Sequence, residues 1–171
     1  MDKIMILGNS GSGKSTLARN MGEILGIEPT HLDALHWLPG WIESDVNHKV
    51  ELLSPVLKRD RWIVDGNYRQ VLWHERLNDA DTVICLDINR FKCLYQAFKR
   101  SRIYKGKTRP DMGEGCEEKF DLEFMKWILF SSKRRRKNLE IVEFLKTNGK
   151  DTYIFKNNRQ INKFLEGLKQ L

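Results

Sequence analysis

A glycine-punctuated run, Gly8-Asn9-Ser10-Gly11-Ser12-Gly13-Lys14-Ser15, follows directly on apolar Ile4-Met5-Ile6-Leu7 and precedes helically spaced Leu17, Ala18, Met21, Ile24 and Leu25. The pattern G-x-x-x-x-G-K-[ST] between a strand and a helix describes a loop wrapped around a polyphosphate. Glycines let the backbone close around an anion and aim successive N–H groups at it. Gly8, Ser10, Gly11, Ser12 and Gly13 supply that cradle. Lys14 adds a charge that reaches the β and γ phosphates, Ser15 offers a hydroxyl to Mg²⁺, and Thr16 begins a helix whose N-terminal dipole favours negative charge. A chain with this opening is predicted to bind a nucleotide triphosphate with magnesium.

The length of 171 residues suits one domain, spanning residues 1–171, and no internal repeat or low-complexity linker argues for a second. No apolar run approaches a membrane span and no secretory leader opens the chain, so a cytoplasmic protein without a membrane partner is expected. Cys85, Cys93 and Cys116 are odd in number and lack C-x-x-C pairing, which predicts reduced thiols and neither a disulfide framework nor a zinc site. The net charge of +7 fits an anionic partner, which a nucleotide satisfies as well as nucleic acid does.

Residues 2–7 read as a first strand, with a helix after the loop that ends near Leu25 at Gly26. Thr30-His31-Leu32 is a short strand signal, Asp33 through Trp41 a Trp- and Pro-containing loop, and residues 45–59 an amphipathic helix that Pro55 should kink. Two further strands, Arg61 to Asp65 and Asp81 to Asp87, each end in a carboxylate. A helix is predicted from Asn89 to about Tyr104, a mobile segment at 105–118, one long helix from Asp121 to about Leu145, a strand at 152–155 and a last helix at 159–169. Strands alternating with helices predict an α/β fold of three layers, a mostly parallel five-stranded sheet with helices on both faces and a small lid. Ligands in such sheets gather at the C-terminal strand ends, where Gly8, Asp33, Asp65 and Asp87 would lie.

Asp65 closes a buried strand, a position from which a carboxylate can hold Mg²⁺ beside Ser15; its alternative is the turn former of Asp65-Gly66. Trp37 and Trp41, around Pro39-Gly40, either wall a second pocket or form a small satellite core.

The chain resembles the adenylate kinase-like P-loop kinases, in which a phosphate loop near the N-terminus is joined by a strand ending Asp-Gly with an arginine three residues beyond, here Asp65-Gly66-Asn67-Tyr68-Arg69. Within that group it is similar to the family labelled DNA topology modulation protein, or FlaR-like. The motifs are His31-Leu32-Asp33 with Trp37-Leu38-Pro39-Gly40-Trp41, Asp65-Gly66-Asn67-Tyr68, and Arg109-Pro110-Asp111-Met112 with Glu118-Lys119-Phe120-Asp121. Asn67-Tyr68 stands where adenylate kinases usually have Phe-Pro. The resemblance implies a kinase that transfers the γ-phosphoryl group of Mg·ATP to a small-molecule acceptor.

By that resemblance Arg69 meets an anionic group on the acceptor, with a solvated helix residue as its alternative. Asp33 orients an acceptor hydroxyl or assists magnesium, with a helix N-cap as its alternative. Arg100, Arg102, Arg109, Arg134, Arg135 and Arg136 have the layout of a kinase lid, which can bring guanidinium groups to a transferring phosphoryl group. Three consecutive arginines point about 100° apart on a helix, so Arg134, Arg135 and Arg136 cannot all face one site. The resemblance further implies that Arg100 stacks on adenine and that Asn157 borders the base. Two other classes stay open. Lys133-Arg134-Arg135-Arg136-Lys137 and the family label suggest a DNA-binding topology modulator, with a solvated helix face as the alternative; the loop alone also fits a slow ATPase switch.

Overall fold

The computed structural model describes residues 1–130 and 132–170. Five strands, β1 (Lys3–Gly8), β2 (Pro29–His31), β5 (Trp62–Asp65), β6 (Thr82–Leu86) and β7 (Asp151–Phe155), form one sheet in the order β2-β5-β1-β6-β7. All four pairings are parallel. The central register sets Ile6 beside Asp65, Gly8 beside Leu86 and His31 beside Asp65. The strand ends that carry the phosphate loop, Asp33 and Asp65 therefore share one edge, as the sequence predicts.

Alternation along the strands divides the core into two layers, because successive side chains leave opposite faces of a sheet. Ile4, Ile6, Ile63, Ile84 and Leu86 meet Leu17, Ala18 and Met21 of α1 (Lys14–Leu25), Cys93 and Ala97 of α5 (Arg90–Ile103), Met125 and Ile128 of α6 (Leu122–Leu129), and Leu165 and Leu168 of α8 (Asn158–Leu168). On the other face Met5, Leu7, Trp62, Val64, Val83 and Cys85 meet Leu53 and Val56 of α3 (Val46–Leu57), Trp73 of α4 (Trp73–Asp79) and Val142 of α7 (Ser132–Thr147). The result is the expected three-layer α/β fold. No helix among the described residues is long and apolar enough to cross a membrane.

The single long helix predicted from Asp121 to Leu145 is two helices, α6 and α7, with α6 ending at Phe130. The reason lies in the core. Met125 and Ile128 pack on one face of the sheet and Val142 on the other, so the chain must cross the sheet edge between them, which one straight helix cannot do. The predicted loop from Asp33 to Trp41 is also corrected: it holds the short helix α2 (Leu32–His36) and a hairpin of β3 (Trp37–Leu38) and β4 (Ile42–Glu43). Elements of five and two residues are too short to show a period in sequence. Helix α3 continues to Leu57, two residues past Pro55.

Cys85 and Cys93 lie in this core, 2 % and 0 % exposed, and burial pushes their thiols up to about 12 and about 11. The thiolate is the reactive form. Iodoacetamide at pH 8 is therefore expected to leave both unmodified in the native protein and to alkylate both once urea unfolds it, read by peptide mass mapping.

Candidate active site

Between β1 and α1 the loop takes the backbone shape that its glycines permit. Gly13 has φ 93°, yet a Cβ there would meet no atom within 4 Å, so the need for glycine is conformational. Gly11 differs. A Cβ would lie 2.3 Å from the carbonyl oxygen of Cys93, so glycine here lets the loop press against the start of α5. The Lys14 ammonium folds back to donate to the Asn9 carbonyl at 3.1 Å, which places its charge over the cradle. Ser12 Oγ is buried without a hydrogen-bond partner, as is Asn9 Oδ1. An unpaired buried hydroxyl costs on the order of 1–3 kcal/mol; a phosphate oxygen within the cradle is the partner its position suits.

Asn67 holds the other side of the loop. Its side-chain N–H donates to the Gly8 carbonyl at 2.6 Å, its Oδ1 accepts from the Gly8 N–H at 3.2 Å, and Asn138 of α7 donates to the same Oδ1 at 3.2 Å. The segment from Gly66 to Val71 is in turn held from beneath by Arg76, fully buried in α4, which donates to the carbonyls of Val71, Gly66 and Tyr68. Burial draws this guanidinium down to about 10, so it remains charged at neutral pH. Replacing it with methionine would leave three carbonyls unpaired. Arg76→Met is expected to cost about 3–5 kcal/mol, read as a lower urea midpoint, and to weaken nucleotide binding through Asn67 in whatever fraction stays folded. The sequence reading missed both residues; the signal was an arginine within an otherwise amphipathic stretch behind the Asp65-Gly66 turn.

Ser15 and Asp65 meet beside the phosphate loop. The Ser15 hydroxyl donates to Asp65 Oδ2 at 2.9 Å, and Asp65 is 3 % exposed. His31, which the sequence reading left without a role, donates from Nδ1 to Asp65 Oδ1 at 2.6 Å. Burial opposes its protonation, but the bond to Asp65 and that carboxylate's charge prevail, and the imidazole is raised above its ordinary value. Asp111 joins the corner from the 105–118 segment. Burial disfavours its charge, yet Arg109 beside it holds the carboxyl below its usual range. Among the described residues no cluster of three or more His, Cys, Asp and Glu side chains forms a cage for a metal. A hydroxyl and one carboxylate are the donor set that suits Mg²⁺, which keeps waters and takes phosphate oxygens.

Asp33 lies in the first turn of α2, with its Oδ1 accepting from the Tyr68 hydroxyl at 2.7 Å. The N-cap of α2 is His31, so the alternative reading of Asp33 as a cap does not hold. Tyr68 packs on His36, ring centroids 4.6 Å apart, and His36 on Trp37 at the same distance. Lys49 of α3, 2 % exposed, donates to His36 Nδ1 at 3.0 Å and to the Ser44 carbonyl at 2.8 Å. Burial and this neighbouring ammonium lower the His36 imidazole below its ordinary value. Trp37 and Trp41 contact one another at 5.5 Å.

The 105–118 segment closes down on this hairpin. Gly40 N–H donates to the Gly115 carbonyl at 2.9 Å, Trp41 Nε1 to the Glu117 carbonyl at 2.9 Å, and the Cys116 thiol to the Leu38 carbonyl at 3.3 Å. Gly115 has φ 73°, and a Cβ on it would sit 2.8 Å from Pro39 Cβ. Gly113 presses against the carbonyls of Trp37 and Ala34. This contact surface explains Gly113 and Gly115, while Gly106 has open space around it and a φ of 67°.

The expected lid arginines are dispersed. Arg109, 6 % exposed, pairs with Glu118 at 2.7 Å and Asp111 at 3.0 Å. Arg100 pairs with Glu118 at 3.3 Å, lies over the Phe124 ring at 5.8 Å and is within electrostatic reach of Asp33. Arg102 is exposed and lies over Phe98, lining a separate cleft of about 920 Å³ that includes no phosphate-loop residue. Arg135 makes a two-pronged pair with Asp87 just beyond β6, and with Asp87 and Lys14 it is near enough to Cys85 to affect that thiol. Arg134 instead stacks on Trp127 at 3.8 Å, and exposed Arg136 pairs with Glu140. Arg69 is exposed, lies 5.0 Å over Trp73 and reaches Asn138 at 3.5 Å, so it faces α7; it stands in a loop and not in a helix. Asn157 caps α8 by accepting from the Gln160 N–H. Thr16 is exposed in the first turn of α1, which begins at Lys14.

No protein-family model matches the chain, and no curated protein matches it. Solved structures share its fold. A shikimate kinase from Acinetobacter baumannii in complex with shikimate aligns with a TM-score of 0.56 and 14% identity over 99% of this chain and 92% of its own. A shikimate kinase from Bacteroides thetaiotaomicron gives 0.56 and 18% over 98% and 96%. A deoxyadenosine kinase from M. mycoides with bound dATP gives 0.54 and 14% over 98% and 99%. The chain thus has the fold of small P-loop kinases along its length.

Proposed function

We propose that the protein is a kinase that transfers the γ-phosphoryl group of Mg·ATP to a hydroxyl on a small-molecule acceptor. One observation carries this reading: two equipped half-sites lie side by side at the same sheet edge. Ser15 and Asp65 adjoin the phosphate loop, while Asp33, braced by Tyr68, stands two residues beyond the strand paired with the one that Asp65 ends. A hydrolytic switch needs the first half alone.

In the proposed reaction Asp33 accepts the acceptor's hydroxyl proton as its oxygen forms a bond to the γ-phosphorus. The bond from that phosphorus to the bridging oxygen of ADP breaks, and its electron pair leaves with ADP. Lys14 and the loop amides hold the phosphates and stabilise the charge that spreads over the transferring oxygens. Ser15 and Asp65 would hold Mg²⁺, which supplies Lewis-acid neutralisation of the phosphates. Arg135 is the arginine best placed to reach the phosphoryl group, from its station on Asp87. The lid role of residues 105–118 is proposed as a cover over both halves. Arg135, though itself paired with Asp87, lies near enough to Cys85 to affect the same thiol as Lys14, whereas Arg102, Arg109 and Arg134 lie against Phe98, against Glu118 and Asp111, and against Trp127, so the direct transfer role expected of these three has less support.

Similarity of the Asp65-Gly66-Asn67-Tyr68 and Arg109-to-Asp121 motifs to the FlaR-like family supports a specialised branch of these kinases. The DNA reading has little support from the basic run, because Arg134, Arg135 and Arg136 turn to Trp127, Asp87 and Glu140 and present no continuous face. Comparing ADP formation from Mg·ATP with and without a panel of hydroxyl compounds tests the proposal. Acceptor-dependent ADP release with a phosphorylated product supports it, and equal release under both conditions assigns the site to a switch.

A further inference from the structure

We infer that the acceptor is uncharged and presents a hydroxyl beside a flat ring, the chemistry of a nucleoside, in place of a carboxylate or a phosphate ester. This rests on the kinase reading above and concerns the half-site around Asp33.

The segment that covers Asp33 brings Arg109 and Asp111 with it, since Gly113, two residues on, packs on the carbonyls of Ala34 and Trp37 in α2 and β3. Arg100 is near enough to feel the Asp33 charge. These guanidinium groups already have carboxylates. Arg109 is paired with Glu118 and Asp111, Arg100 with Glu118, and Arg19 of α1 stands 3.8 Å from Asp111. Glu118 and Arg109 are each 6 % exposed, so the pair is held away from water. An anionic acceptor would have to displace a buried carboxylate from its arginine or add a negative charge beside Asp33, Asp111, Glu118 and the triphosphate. Like charges set together at an interface cost several kcal/mol.

Two further buried cations of this region are committed to neutral groups: Arg76 donates to the carbonyls of Val71, Gly66 and Tyr68, and Lys49 donates to His36 Nδ1 and the Ser44 carbonyl. Lys49 keeps His36 as a neutral imidazole, because Nδ1 must accept. Arg69, expected from the resemblance to meet an acceptor anion, is directed over Trp73 and toward Asn138, whose Asn67 contact belongs to the phosphate loop.

Tyr68, His36 and Trp37 form a continuous aromatic group, with successive centroids 4.6 Å apart at interplanar angles of 39° and 81°, and the Tyr68 hydroxyl is bonded to Asp33 itself. His36 is buried within this group, which leaves the half-buried rings of Tyr68 and Trp37 for a planar ring to meet, offset or edge-on. With Oδ1 taken by Tyr68, Oδ2 of Asp33 is the oxygen for the acceptor hydroxyl.

The experiment sets nucleosides against their 5′-monophosphates, and against aromatic hydroxy acids, as acceptors at saturating Mg·ATP. Product mass and kcat/KM are measured for each. A neutral acceptor is expected to exceed its anionic counterpart by about tenfold or more. Glu118→Gln, which frees guanidinium charge, is expected to narrow that ratio by about tenfold. Preference for the anionic compounds overturns the inference, as does a ratio unmoved in folded Glu118→Gln protein. Inertness of every compound also overturns it when calorimetry shows Lys14-dependent ATP binding. Absence of ATP binding would overturn the kinase reading instead.

Discussion

Lys14→Ala is expected to reduce kcat by on the order of 10²–10³ and to abolish measurable ATP binding by calorimetry. The scale follows from removing one preorganised cation from a site where charge develops on transferring oxygens. In the structure the ammonium is anchored to the Asn9 carbonyl at 3.1 Å, within the phosphate loop itself. Lys14→Arg provides a sharper control. A planar guanidinium keeps the charge but not the compact three-donor geometry, and it should recover binding more than turnover. Wild-type turnover in Lys14→Ala would remove the phosphate loop from the chemistry altogether.

The second large effect belongs to the acceptor half. Asp33→Asn should lower kcat by roughly 10²–10⁴, the range of a positioned general base, while leaving ATP affinity unchanged because the hydrogen-bond partner of Asp33 is Tyr68 and not the phosphate loop. Tyr68→Phe removes only the brace on Oδ1. It is expected to raise the acceptor KM and reduce kcat far less than Asp33→Asn does. If Asp33→Asn weakens ATP binding and spares kcat, Asp33 belongs with the magnesium corner and the proton goes elsewhere.

The phosphate loop was legible because its ligand dictates it locally. Anion binding demands glycines, a lysine and a hydroxyl in fixed order, and those demands do not depend on the rest of the fold. Asp65 was readable for a similar reason, since a carboxylate at the end of a buried strand needs an explanation. Arg76, Lys49 and Asn67 were not readable. Arg76 and Lys49 act on carbonyls and a ring nitrogen that only a folded turn brings to them, Asn67 acts on Gly8 across two strands, and in the chain each is an ordinary polar residue. The α6–α7 break escaped for a different reason: nothing between Asp121 and Leu145 breaks a helix locally, and only the two-sided core forces the crossing. The expected arginine layout is dispersed in the fold, because a pairing partner such as Glu118 is defined by the closed segment and not by spacing.

The junction between the 32–43 hairpin and the 105–118 segment has a consequence for how such a chain can diverge. Gly115 against Pro39, Gly113 against the Trp37 carbonyl and Cys116 on the Leu38 carbonyl leave no space for an independent change on either side. In related chains a larger residue at 113 or 115 must be matched by a loss of bulk or a shortened turn at 37–40. The two stretches, more than seventy residues apart, should therefore be inherited as a matched pair, and exchanging one alone between relatives should disrupt both.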